Sequence, residues 1–509
     1  METADKAIPK QKTRGTTSSS LFTLNKRSNV MKHALVFLMT LILSVSLTFG
    51  QNIKLKGSGG TIGGTVNVKG DIDNELSSGA YTFSGTVNLD GTTGTQDIGG
   101  TTTVQTLSFA TLNAVGSVVK DVLVTTTVGT AFTLNSGAAF NVNDNTLNFG
   151  GTTTSTSGTF DASNASSIVN YTSGSGQTVL ASTYGGTLGL SGAGAKTLGG
   201  ATTAAIVNHT AASGAFTVGN TLAINGSSAS SLDAIVVSST LTHSGSNTLT
   251  IANVTDLTGG TITNTSSGTT TFSQAALNTG TGTVSASDGA LTFAGDIDVS
   301  NAGGNFSVSG DATATFAENF TNSGGGGISF GGTSTAIYNN STGSNIQTVL
   351  GTPYVNLTIN GAGDTTFATG GKKQVNAALS VSGTLTIAAN NVLDMQSNTL
   401  GGGFTGANSG RIMWAAGNSF VAGTGVTEFY SGSAGTVAAN TGYGRLWFTG
   451  SGTKTISGTV TAGPGSGLGT GVMVANNLTV DGTGVLTVNG DLDVEASGSI
   501  TNTGSITVQ

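Results

Sequence analysis

The 509-residue chain contains no cysteine, which excludes a disulfide framework, a zinc–thiolate site, a thiol nucleophile and a lipid-modified cysteine. It has only three prolines and no Gly-X-Y period, so it is not collagen. Charged residues make up 8% of it, against about 25% in ordinary soluble domains, which excludes the solvated, self-repelling kind of disorder. Outside one N-terminal apolar stretch no segment carries a 3.6-residue apolar period, so helices are not expected.

What remains is 81 glycines and 36% hydrophobic residues in a background of Thr, Ser, Asn, Val and Leu. That material suits pleated strands and tight turns. Short alternating runs such as Thr86–Leu89, Phe132–Leu134, Leu385–Ile387 and Leu478–Val480 place one apolar face inward. Gly, Asn-Gly, Asp-Gly and Ser-Gly turns separate them. The chain reads as all-β, with enough apolar material for a core.

Lys32 and His33 precede an apolar stretch from Ala34 to Gly50, the basic flank and apolar length of a secretory signal peptide at 31–50. Thr48 and Gly50 supply small residues before Gln51, and Thr40, Ser44, Ser46 and Thr48 interrupt the stretch too often for a membrane span. Residues 1–30 are a polar N-terminal extension or reflect a mis-assigned start, with Met31 as the true one. Export removes Lys6, Lys10, Lys12, Arg14, Lys26, Arg27 and Lys32 and leaves an acidic mature chain, 51–509. It has no basic stripe for nucleic acid or an anionic membrane surface, and no transmembrane span once the signal is gone. The expected location is secreted or on the outer cell surface.

Internal repeats set the architecture. Tyr171 is followed by Gly176-Gln177-Thr178-Val179, Tyr184, Leu188-Gly189-Leu190-Ser191-Gly192 and Lys196-Thr197-Leu198. A second copy runs Tyr338, Gln347-Thr348-Val349, Tyr354 and Asn356 to Gly361, and a third Tyr430, Gly435-Thr436-Val437, Tyr443, Leu446 to Gly450 and Lys454-Thr455-Ile456. A degenerate copy spans Val87 to Ile98. The string Gly70-Asp71-Ile72-Asp73 returns as Gly295-Asp296-Ile297-Asp298 and Gly490-Asp491-Leu492-Asp493. Irregular spacing between copies fits stacked coils with unequal loops, which predicts a parallel β-solenoid (β-helix) rod of about 20 turns and roughly 100 Å. The alternative is a string of tandem β-sandwiches, which needs copies about 100 residues apart.

The Tyr, Gln-Thr-Val, Tyr, Leu-x-Leu-x-Gly, Lys-Thr-Leu module resembles repeats of the haemagglutinin-like and autotransporter-like β-solenoid surface adhesins of Gram-negative bacteria. The resemblance covers most of residues 60–509 and implies a cell-adhesion scaffold, with no ligand identified by its motifs. The chain reaches Gln509 in mid-pattern, so anchoring is expected elsewhere, in a longer protein, or through stacking of the open end on another molecule.

Several residues are candidates for chemistry. Asp71, Asp73 and Glu75, mirrored by Asp491, Asp493 and Glu495, place carboxylates two apart on one strand face, an arrangement that admits a calcium ion; the simpler reading is a solvated outer face. Arg411 and Trp414 with Arg445 and Trp447 would set indoles beside guanidinium groups as a sugar-binding surface, or else the indoles fill a wide turn. His209 and His243 read as isolated exposed strand positions, and Tyr171, Tyr338 and Tyr430 as equivalent packing positions. Threonine tracts such as Thr101–Thr103 and Thr269–Thr271 would serve an ice-binding face only if Thr-x-Thr aligned turn over turn, and they look too scattered for that. No phosphate-binding loop is present, because no Gly-Lys-Ser/Thr leads into a helix.

These features point to a non-catalytic structural or adhesive protein with no cofactor apart from the calcium option. Its partners would be glycans or proteins of a cell surface or matrix, with self-association end to end. The competing expectation is an extracellular polysaccharide-active β-helix enzyme, a lyase or hydrolase, which needs paired carboxylates or a base in a cleft.

Overall fold

The computed structural model describes residues 46–509 apart from 77–79, 101–105, 211–212, 341–345, 362–371, 416–423, 431–433 and 464–469. The N-terminal extension and most of the expected signal peptide therefore lie outside the described residues, as do Thr101–Thr103. Ser46–Phe49, the end of that peptide, forms a strand paired with Thr65–Val68.

Every described element is a strand, and the strands stack in parallel as a β-solenoid of about 20 turns. Antiparallel sandwiches are excluded by this pairing. Each turn visits three sheets in a fixed order, as one example shows: Asp296–Asp298 lies in the first sheet, Asn305–Val308 in the second and Thr313–Phe316 in the third. The chain then returns to the first sheet at Phe320–Thr321, beside Asp296–Asp298. Turn length varies with the loops: 19 residues separate Asn52 from Asp71, and 25 separate Asn88 from Asn113.

Along each strand buried and part-exposed residues alternate, as in Thr313–Phe316 and Val485–Val488, so one side lines a continuous core and the other faces out. Parallel pairing brings like residues over like. Phe272, Phe293, Phe316 and Tyr338 are successive partners in the third sheet, with ring centroids 4.9, 5.6 and 5.1 Å apart. Two glycines show why the corners demand that residue. A Cβ on Gly85, where one strand bends between sheets, would lie 1.9 Å from the Gly64 carbonyl oxygen, and Gly289 combines φ +68° with a would-be Cβ 2.2 Å from two carbonyls.

The sequence module is a device for burying polar atoms. Gln177 turns inward and its Nε2 donates to the Phe149 and Gly151 carbonyls at 3.0 and 2.6 Å, while its Oε1 accepts from Ser173 N. Gln347 repeats this on Phe316 and Glu318, and Gln96 on Val68 and Gly70. One turn later a buried lysine stands in register with each: Lys120 on Gln96, Lys196 on Gln177 and Lys373 on Gln347. Lys196 Nζ donates to the Ser173 and Gly194 carbonyls, and Lys120 Nζ to those of Gly116 and Val118. Each glutamine amide is thus engaged through both its oxygen and its nitrogen, the condition for burying it cheaply.

The two tyrosines of a module form one buried pair. Tyr171 and Tyr184 hydroxyls are 2.9 Å apart, Leu180 N donates to Tyr171 and Tyr184 donates to the Leu180 carbonyl. Tyr338, Tyr354 and Leu350 repeat the arrangement. The third copy departs from the expected equivalence. Tyr171 and Tyr338 belong to third-sheet strands, whereas Tyr430 follows the first-sheet strand Val426–Phe429 and donates to Asp394 at 2.8 Å. The sequence repeat has moved one sheet around the rod.

Register also overturns the reading of the threonines as scattered. In the third sheet Thr248 and Thr250 lie beside Thr269 and Thr271, and these beside Ala290 and Thr292. The columns continue through Thr313 and Thr315, Thr335 and Ile337, and Asn356 and Thr358. Thr358 pairs with Thr386, and Thr384 and Thr386 pair with Thr405 and Ala407.

The buried ionisable groups give the fold a characteristic pH profile. Burial pulls Lys120 and Lys373 down to about 8 from 10.5, so between these values the unfolded chain holds more protons and stability rises with pH. Burial pushes Tyr171, Tyr184, Tyr338 and Tyr354 above their ordinary 10.0, so above that value the unfolded chain loses protons first and stability falls. Urea unfolding across pH 7 to 11 is expected to show a maximum near 10, and Lys120→Met with Lys373→Met is expected to diminish the rise below it, the remainder coming from Lys196 and Lys454, which burial also holds below their ordinary value.

Candidate functional site

The expected calcium carboxylates are held by the chain itself. Asp73 and Glu75 point outward from Ile72–Leu76 and meet the preceding turn's lysines: Lys54 Nζ lies 3.5 Å from Asp73 and 3.2 Å from Glu75, and Lys56 Nζ 2.8 Å from Glu75. Asp71 accepts from Asn52 Nδ2 at 2.8 Å and from Asp97 N at 2.9 Å. The same carboxylate-to-next-turn link recurs at Asp296, which accepts from Asn319 N, and at Asp298, which accepts from Ser323 N. The recurring Gly-Asp-x-Asp string is thereby a turn-to-turn tie in its first two copies. Asp491, Asp493 and Glu495 are exposed. Among the described residues no group of three or more His, Asp or Glu side chains is gathered closely enough to hold a metal ion.

The histidines are buried, contrary to the exposed positions expected. His209 accepts at Nδ1 from Asp233 N, which leaves Nε2–H to donate to the Gly214 carbonyl at 3.0 Å. His243 lies 2.9 Å from Thr270 Oγ1 through Nδ1 and 2.6 Å from Asn247 Oδ1 through Nε2. The Asn247 oxygen can only accept, so Nε2 carries the proton. Burial holds both imidazoles below their ordinary 6.5; they are neutral core residues. The signal was present in the sequence: Val207 and Leu241, two residues earlier on the same strands, share the parity of His209 and His243 and point inward.

The densest polar grouping lies on the outer side of the first sheet. Gln374, Asp394, Met413, Glu428 and Trp447 are successive partners there, with Arg411, Val426 and Arg445 in the parallel column. Arg411, Arg445 and Trp447 thus share the outer side of neighbouring strands, while Trp414 points the other way and is buried in the core. Arg411 forms an ion pair with Glu428 and its guanidinium carbon stands 5.1 Å from the Trp447 ring centroid, a cation–π geometry. Thr449 also donates to Glu428.

Asp394 and Glu428 were not singled out from the sequence. Asp394 accepts from Tyr430 at 2.8 Å and from Gln396 Nε2 and N at 2.7 and 3.0 Å. Burial, then the adjoining Asp394 carboxylate, pushes the Tyr430 hydroxyl up. Asp394, Arg411 and Glu428 are only 2%, 8% and 3% exposed although they lie on the outward side. Two strand spacings, roughly 9.6 Å of backbone, separate Asp394 from Glu428, just beyond the about 6.5–9.5 Å between the carboxyl groups of inverting glycoside hydrolysis. The Arg411 guanidinium is committed to Glu428 and to the Trp447 ring, and proton transfer at Glu428 would require release from Arg411.

Because the Arg411–Glu428 pair is buried, breaking it by Arg411→Ala is expected to cost about 3–5 kcal/mol in urea unfolding, whereas Arg411→Met combined with Glu428→Leu is expected to stay close to the parent protein.

Among the described residues no helix is long and apolar enough to cross a membrane. No protein-family model, no curated protein and no solved structure matches the chain.

Proposed function

We propose that this is a secreted or outer-surface, non-catalytic β-solenoid that serves as an adhesive or structural element, as the resemblance of its repeats to Gram-negative surface adhesins implies. The apolar stretch at 31–50 with its basic flank supports export. The observation that carries the reading is where the polar groups go. Asp73 and Glu75 face lysines and Asp394 and Glu428 face donors, while the long third-sheet flank presents hydroxyls in repeating columns. Such a rod binds by many weak contacts summed along its length, to glycans or proteins of a cell surface or matrix, and copies can associate through their open edges.

A second reading has one specific observation in its favour. Asp394 and Glu428, with Tyr430 and Arg411, form a carboxylate grouping on the outer side of the first sheet, and paired carboxylates are what a general acid and base require.

The two are separated by one paired assay. Labelled protein on immobilised glycans, matrix proteins and whole cells is expected to show saturable binding that steepens with ligand density and no turnover of pectins, alginates or glycosaminoglycans. Turnover abolished by Asp394→Asn or Glu428→Gln in folded protein would establish the enzyme instead.

A further inference from the structure

We propose that the third-sheet flank between Thr248 and Asn408 is a binding face for the ordered water lattice of ice. The proposal rests on the reading of the solenoid as a protein that works through its flank, and it names the ligand.

Two threonine columns run along this flank. One carries Thr248, Thr269, Ala290, Thr313, Thr335, Asn356, Thr384 and Thr405, and the other Thr250, Thr271, Thr292, Thr315, Ile337, Thr358, Thr386 and Ala407. Pairing across these strands proceeds without a register shift. The grid therefore repeats at about 4.8 Å from turn to turn and about 6.6 Å from one column to the other. Oxygen rows on the prism face of ice repeat in one direction at a spacing close to the turn-to-turn repeat.

The side chains suit that ligand. Threonine is held to few χ1 rotamers by its branched Cβ, so methyl and hydroxyl occupy fixed positions before binding and little rotamer freedom remains to be lost. Among the described residues the hydroxyls of Thr250, Thr271, Thr292, Thr315, Thr358 and Thr386 have no hydrogen-bond partner; Thr384 and Thr405 approach each other at 3.4 Å, and Thr405 also lies 3.4 Å from the Gly383 carbonyl. Beneath the grid the Phe272, Phe293, Phe316 and Tyr338 stack lies in the same strands, a side-chain ladder of the kind that keeps a sheet flat.

Charge and aromatic content choose among occupants. Among the described residues no outward position of the grid itself, from Thr248–Ile251 to Thr405–Asn408, carries an ionisable group, Asp256 lying at the far end of the first strand where it has left this sheet, so the face complements an uncharged partner. It also carries no outward aromatic ring, the platform on which sugars stack. The second sheet offers a shorter version, Thr240 and Thr242 beside Thr261 and Thr263, then Thr283 and Ser285, that gives way to Asn305 and Gly327.

The test uses the purified full chain, fluorescently labelled, and a slowly growing polycrystalline ice surface, with growth arrest below the melting point measured alongside. The parent protein is expected to enter the ice and shape its crystals. Thr292→Lys, in the middle of the grid, is expected to lower the ice-bound fraction at least about tenfold, while Thr217→Lys in the first sheet leaves it unchanged. Far-UV circular dichroism and urea midpoints establish that both variants are folded. Exclusion of the parent protein from ice, or equal loss in both folded variants, overturns the proposal. So does retention on cellulose or chitin powder that Thr292→Lys abolishes while the protein is excluded from ice. In those outcomes, density-dependent binding to glycans or cells would leave the adhesive reading standing and remove only the identification of the ligand.

Discussion

Everything in this molecule depends on parallel, in-register pairing between one turn and the next. Each backbone group bonds to a neighbouring turn, and the pairing that satisfies it also fixes which side chains lie side by side. An inward position must then be compatible with whatever stands above and below it. Aliphatic and aromatic residues meet that requirement by stacking, as Phe272 does on Phe293. Large polar residues meet it by finding partners for their atoms on their own or an adjacent turn. The inward glutamines do so by reaching back to carbonyls of the preceding turn; of the lysines in register with them, Lys120 bonds carbonyls at its own corner, Lys196 one there and one on the preceding turn, and Lys373 the Asn391 side-chain oxygen. The aliphatic stem of each lysine adds to the core while its ammonium takes the place of water at the corner.

The same constraint explains how far the sequence could be read. Alternation along short runs is a local property, so the inward phase of strands such as Thr313–Phe316 and the solenoid itself were legible. Relations between turns are not local. The interval from Asn52 to Asp71 differs from that between Asn88 and Asn113 because loops at the corners vary freely, and no fixed count of residues predicts which threonine lies beside which. The Thr-x-Thr columns were invisible for this reason, although Thr248, Thr250, Thr269 and Thr271 stand in plain sight in the chain. The third tyrosine module failed in the complementary way: its residues match the other copies, but its strands occupy a neighbouring sheet, so Tyr430 meets a carboxylate where Tyr171 meets another tyrosine.

The polar cluster on the first sheet was half legible. Arg411, Arg445 and Trp447 could be grouped because they are close in sequence and rare in composition. Their carboxylate partners could not, since Asp394 and Glu428 come to the same outer column only after intervening turns have closed. Trp414 shows the limit of composition as a guide. It shares a strand with Arg411, yet strand geometry sends residues of opposite parity to opposite sides, and the indole is part of the core.

Two kinds of outward ladder share this geometry and differ in one respect that bears on function. Near the N-terminal end Asn67, Asn88 and Asn113 stack, with Nδ2 of each turn donating to Oδ1 of the one before at 2.7 and 2.8 Å. Asn170 does the same to Asn148 at 2.8 Å. An amide carries a donor and an acceptor on opposite arms and is long enough to span the gap between strands, about 4.8 Å, so an asparagine ladder consumes its own hydrogen-bonding capacity. A threonine hydroxyl is a single atom on a shorter arm. Placed at the same interval it falls short of its neighbour, and its donor and acceptor stay directed outward. Thr250, Thr271, Thr292 and Thr315 therefore offer their hydrogen bonds to whatever lies against the flank, with methyl groups between them that no water can bond. Exchanging asparagine for threonine along a solenoid converts a self-sealed surface into one whose hydrogen bonds are left for solvent or an external partner.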